Sequence, residues 1–100
     1  MRTMIRVTIP VDAGNKGIQD GSMPKTFADA MSLLKPESAY FYTDRGVRTS
    51  IMVIDMADTS EMPAIAEPLF SSLNAAVEFI PVMNAEELKA GITKVMAAAK

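Results

Sequence analysis

The feature that most constrains the fold is a hairpin pattern between Ser38 and Asp55. This segment is rich in aromatic and β-branched residues and is interrupted once, at Asp44-Arg45-Gly46, where the glycine can adopt the positive φ of a tight turn. Two strands joined by so short a connection pair antiparallel. The chain is therefore predicted to build an antiparallel sheet.

Two further segments alternate apolar and polar residues with the two-residue period of half-buried strands. They are 3–11, which ends near Pro10, and 75–83, which has Pro81 near its end. With the hairpin they predict four strands.

Three segments have the apolar spacing of amphipathic helices. The first begins near Ser22, and the other two open with the capping-box pairs Asp58/Glu61 and Asn84/Glu87. A proline inside the second helix, at position 68, predicts a kink or a poorly formed turn. The segment 12–23 holds three of the five glycines and is predicted to be a long connection with at most one helical turn.

The resulting order, β-α-β-β-α-β-α, is that of an α+β, ferredoxin-like fold with a four-stranded antiparallel sheet and helices on one face. One hundred residues with 49% hydrophobic content are predicted to form a single domain over 1–100. Such a sheet leaves its second face uncovered. What lies on that face is the main functional question.

The pleat places Arg6 and Glu78 on the uncovered face if the apolar residues of their strands face the helices. A three-residue hairpin loop with Gly46 as a G1 bulge would pair residue 43 with residue 47 and add Tyr40, Tyr42 and Arg48 to this face. That loop would also turn Ser50, Met52 and Ile54 outward, and Phe41, Thr49, Ile51 and Val53 inward. A two-residue turn would instead reverse one strand relative to the other.

This mixed face is too apolar for open solvent and too charged for a dry core, so we expect a second copy of the chain to cover it. The candidate binding residues for a small anionic or aromatic molecule between the sheets are Arg6, Tyr40, Tyr42, Arg48 and Glu78. The structural alternative is that the arginines and the glutamate simply pair with one another.

Two other functions stay open. In a cofactor-independent isomerase or monooxygenase, a tyrosine would hydrogen-bond the substrate, Glu78 would move a proton, and Arg6 or Arg48 would stabilise an oxyanion. In a protein interaction module, Tyr40 and its strand edge would recruit a partner.

Composition narrows the chemistry. The chain has no Cys and no His, which excludes disulfides, thiolate metal sites and a cysteine nucleophile, and we expect no metal and no cofactor. A net charge of -2 with scattered basic residues predicts no nucleic-acid partner. No long apolar run is present, so we expect no membrane association and a cytoplasmic location.

The chain resembles a family of short, uncharacterised bacterial proteins that is in turn similar to the dimeric α/β-barrel superfamily. The segments that carry the resemblance are 14–16, 24–26, 35–41, 48–49, 63–70, 73–75, 77–79 and 81–84. The resemblance implies a homodimer. The superfamily includes cofactor-independent monooxygenases, lactone isomerases, haem-degrading enzymes and stress-response proteins, but its histidine-dependent members have no match in this sequence.

Overall fold

The computed structural model describes residues 1–99 and has the predicted α+β architecture. Its elements are β1 (Arg2–Ile9), α1 (Val11–Asp20), α2 (Ser22–Leu34), β2 (Ser38–Asp44), β3 (Val47–Asp55), a 3₁₀ turn (Thr59–Glu61), α3 (Met62–Leu73), β4 (Ala76–Pro81) and α4 (Ala85–Ala98). The four strands form one antiparallel sheet in the order β2-β3-β1-β4. This arrangement is consistent with the ferredoxin-like fold predicted from the hairpin and its flanking units.

The core lies between one face of the sheet and the helices. β1 alternates as predicted, so Ile5, Val7 and Ile9 point to this face and are buried. They meet Leu69 and Leu73 of α3, and side chains of α1 and α2 pack around this cluster. Burial of each such side chain contributes roughly 1.5–3 kcal/mol, which makes this layer the main source of stability.

α1 corrects the prediction of a long connection over 12–23. Gly14 and Gly17 are buried in this helix, and a Cβ atom at Gly17 would lie only 2.9 Å from the Cβ of Met23. The glycines here permit close packing of α1 against its neighbours, which outweighs their poor helix propensity of about 1 kcal/mol each. Gly21, with a φ of 78°, then separates α1 from α2.

The helix starts predicted at Asp58 and Asn84 are confirmed. Ser60 N–H donates to Asp58 Oδ1 over 2.8 Å, and Glu87 N–H donates to Asn84 Oδ1 over 2.8 Å. In both boxes the glutamate accepts a hydrogen bond from the capping residue's own N–H. α3 runs from Met62 to Leu73 without a break at Pro68, so the poorly formed turn, one of the two outcomes predicted for this proline, does not occur.

The hairpin has a two-residue turn, and the three-residue loop was the wrong alternative. Asp44 pairs with Val47, and both central residues have positive φ, 54° at Arg45 and 79° at Gly46. Positive φ at both positions is the pattern of a type I′ turn, whose twist matches that of the strands it joins. Because the register moves by one residue, every side chain of β3 lies on the face opposite to the one predicted.

The new register explains the burial along β3. Met52 and Ile54, predicted to point outward, lie on the helix side and are 0% and 4% exposed. Arg48 and Ser50 share this side. Thr49, Ile51 and Val53 occupy the uncovered face instead. Burial of Met52 and Ile54 in the core favours this register over the three-residue loop, which would turn both side chains outward.

Candidate functional site

The uncovered sheet face, which we call the open face, carries three rows of side chains set by the strand register. Across β4, β1, β3 and β2 these rows are Ile80, Met4, Val53 and Ser38; Glu78, Arg6, Ile51 and Tyr40; and Ala76, Thr8, Thr49 and Tyr42. Four of the five predicted binding residues therefore share this face. Its centre is aliphatic, one edge is aromatic, and Arg6 and Glu78 lie side by side on the other half.

Arg6 is held in a small polar cluster. One guanidinium nitrogen donates to Asp44, and the other donates to Glu78 Oε1 over 3.4 Å. The Tyr42 hydroxyl, followed by the charges of Asp44 and Glu78, raises the pKa of Arg6 above its ordinary value. Asp44 was not among the predicted residues, and it reaches Arg6 because the two-residue turn extends β2 through it.

The cluster determines the net charge of this half of the open face. One guanidinium lies between two carboxylates, so its charge is already compensated and the group carries a formal excess of one negative charge. A further negative charge would meet repulsion there, whereas the exposed rings of Tyr40 and Tyr42 supply an aromatic surface with hydroxyl groups. The structural alternative, in which Arg6, Arg48 and Glu78 pair with one another, is therefore confirmed for Arg6 and Glu78 but not for Arg48, which bonds to Val11 and Asn15.

Arg48 does not belong to this face. It lies on the helix side of β3, where its Nη2 donates to Asn15 Oδ1 over 3.1 Å and its Nη1 donates to the Val11 carbonyl over 3.4 Å. The prediction that Arg48 joins the tyrosines on the open face is therefore wrong. The cause is the one-residue difference in hairpin register.

A second uncovered surface is the helix α4. Within Ala85–Ala98 no residue is buried, and its apolar stripe of Leu88, Ile92, Val95 and Met96 is 49–68% exposed. The helix begins just after β4 ends, and its first turn is fixed by an ion pair between Glu87 and Arg2. Beyond that turn α4 projects from the sheet as an arm.

Comparisons with protein-family models and with curated proteins find no match for this sequence. Within residues 1–99, no helix has the length and apolar character needed to cross a membrane. In the same part of the chain, no group of three acidic side chains is placed to hold a metal ion.

Proposed function

We propose that this protein is a small-molecule-binding homodimer in which two open faces pair and enclose a cavity between the sheets. The observation that carries the proposal is the surface the single chain exposes. Its accessible area is 6,696 Å², whereas a compact monomer of 10.8 kDa exposes about 5,500 Å². The excess of roughly 1,100 to 1,200 Å² is more than the ~800 Å² that each partner contributes to a standard interface.

The shape of the chain agrees with this excess. The radius of gyration is 16.3 Å, against about 13 Å for a compact chain of this length. The long dimension is 60 Å, while the other two are 28 and 18 Å. The projecting arm accounts for this elongation, and it is the part of the chain with the least packing of its own.

A second copy is the occupant that the two uncovered surfaces favour. An unsupported helix of 14 residues is marginal in water, so α4 needs an apolar surface to pack against. Pairing through the open face brings a second chain, with apolar surface of its own, alongside this arm. In a two-fold symmetric dimer the same surface of each copy forms the interface, so the open face and the arm of one chain can both be covered by the other chain.

The cavity between the paired sheets is proposed to bind a neutral aromatic molecule. Tyr40 and Tyr42 supply rings with hydroxyl groups at one edge, and Met4 with Ile51 supplies an apolar floor. The compensated charge of Arg6 disfavours the anionic ligand that the sequence also allowed.

Cross-linking tests the face that pairs. The chain contains no cysteine, so one introduced thiol is unique. We expect a short bis-maleimide to link copies carrying Ile51→Cys at the centre of the open face, while a matched Ser71→Cys variant on the exposed side of α3 stays monomeric on a denaturing gel. Equal cross-linking of the two variants would contradict pairing through the open face.

Sedimentation velocity tests the arm. Ile92→Lys places a charge in the apolar stripe of α4, and we expect it to weaken the dimer, while the control Ala90→Lys on the opposite side of the helix does not. A dimer insensitive to Ile92→Lys would remove α4 from the interface.

NMR titration tests the cavity. Indole, a neutral aromatic probe, should shift the backbone amide NMR signals of Tyr40 and Ile51. Indole shifts confined to the helix side of the sheet would contradict the cavity.

A further inference from the structure

A second binding site lies on the other side of the sheet, between α2 and the β2-β3 hairpin. It is a cleft of about 320 Å³, and its walls include Ile9, Met23, Phe27 and Phe41. The rings of Phe27 and Phe41 meet edge to face, with centroids 5.6 Å apart and an interplanar angle of 85°. Cavities of this size and apolar character are typical of small-molecule sites.

The cleft contains a buried polar group that the fold does not satisfy. Ser50 lines it and is only 2% exposed, yet its hydroxyl has no hydrogen-bond partner among residues 1–99. Buried hydroxyls in folded proteins nearly always have such a partner, because leaving one unpaired costs about 1–3 kcal/mol. The fold therefore leaves one hydrogen-bonding group beside this apolar cleft without a partner of its own.

Arg48 supplies a charge to the same cleft. Its two hydrogen bonds go to the neutral oxygens of Asn15 and Val11, and it forms no salt bridge with any carboxylate in the described part of the chain. Gly14 leaves room for this guanidinium, since a Cβ atom there would lie 2.3 Å from Arg48 Nη1. Arg48 is thus an uncompensated cation, unlike Arg6 on the open face.

We propose that this cleft binds a small aromatic carboxylate, with its ring packed against the phenylalanine pair, its carboxylate on Arg48 and a polar substituent at Ser50. Arg48 and Ser50 are two residues apart on β3 and point to one side of the sheet, so their Cα atoms are about 7 Å apart. A benzoate with a para hydroxyl group carries the carboxylate and the polar substituent on one ring. The cleft lies on the helix side of the sheet, although Tyr42 and Thr49 of the open face also contribute to its walls. It does not require a dimer.

The test is an NMR titration of the intact chain with 4-hydroxybenzoate and with its neutral analogue 4-hydroxybenzamide. We expect saturable shifts of the amides of Phe41, Arg48 and Ser50 with the benzoate. The benzamide should bind roughly tenfold to hundredfold more weakly, because it loses the charge-assisted hydrogen bonds to the guanidinium. Equal affinity for the two probes, or no saturation at millimolar benzoate, would overturn the proposal.

Three variants locate the site. Arg48→Ala should weaken benzoate binding roughly tenfold to hundredfold, and Gly14→Ala should weaken it by displacing the guanidinium. Gly14→Ala should still fold, because alanine favours a helix over glycine and the atom it meets belongs to a flexible side chain. The control Lys94→Ala, which removes an exposed cation from α4, should leave benzoate affinity unchanged. Benzoate shifts confined to the open face, or an equal loss of affinity in Lys94→Ala, would overturn the assignment to this cleft. Failure of the dimer would instead show only in the mass.

Discussion

Replacing Ser50 with alanine should stabilise the ligand-free protein. The hydroxyl is buried without a partner, and the substitution removes that oxygen while keeping the Cβ atom. A buried unsatisfied hydroxyl costs about 1–3 kcal/mol, and the small void that alanine leaves behind is itself destabilising and offsets part of the gain. We therefore expect the free energy of unfolding to rise by about 1 kcal/mol. For a chain of this size the gain raises the thermal midpoint by roughly 4–8 °C.

The control for this experiment is Thr3→Val. Thr3 is also buried on the helix side of the sheet, but its hydroxyl donates to the Met1 carbonyl over 3.0 Å. Removing a satisfied hydroxyl should lower the free energy of unfolding by about 0.5–1.5 kcal/mol. Both variants are compared in urea at one protomer concentration, since association also shifts the midpoint. A Ser50→Ala protein no more stable than the parent would refute the claim that this hydroxyl is unsatisfied.

Three further predictions concern charge and the hairpin. The pKa values of Asp58 and Glu87 are lowered, foremost by the backbone N–H hydrogen bonds that the two carboxylates accept. The stability that these carboxylates contribute is therefore present above the unfolded carboxyl pKa of about 4 and is lost as the pH falls through the lower folded values. A thermal midpoint that stays constant as the pH is lowered from about 4 would contradict this. Arg45→Asn should raise that midpoint, because asparagine before Gly46 is preferred where both turn residues have positive φ, and a lower midpoint would count against the two-residue turn. Arg6→Gln leaves the carboxylates of Asp44 and Glu78 without their cation, and the two negative charges then repel each other and the second copy. The variant should therefore weaken the dimer at low salt, and less so at 1 M salt, where charges are screened. A dimer dissociation constant that does not depend on salt, measured by sedimentation, would exclude this repulsion.

Most of the fold was predictable because periodicity and capping are local signals. The alternation of β1 and the capping boxes at Asp58 and Asn84 fix their elements without any tertiary information. α1 was not predictable in this way. Gly14 and Gly17 lower its helix propensity, and their reason for being there is a close approach to Arg48 and Met23 that only the folded chain displays.

The candidate site was predictable only as far as the hairpin register was known. Arg6 and Glu78 lie together because β1 and β4 alternate as predicted, and Tyr40 and Tyr42 join them because the change of register turns over β3 rather than β2. Arg48 and Ser50 change faces with a one-residue shift, and that shift depends on whether Arg45 accepts a positive φ. The sequence contained the signal, since a two-residue turn buries Met52 and Ile54 in the core.

The direct test of the homodimer is the mass of the unmodified protein in solution, measured by light scattering across micromolar concentrations. The excess exposed surface and the unpacked arm predict a particle of about 22 kDa, twice the 10.8 kDa of one chain. A constant mass of 10.8 kDa over that range would contradict the homodimer and leave the arm to a different protein partner.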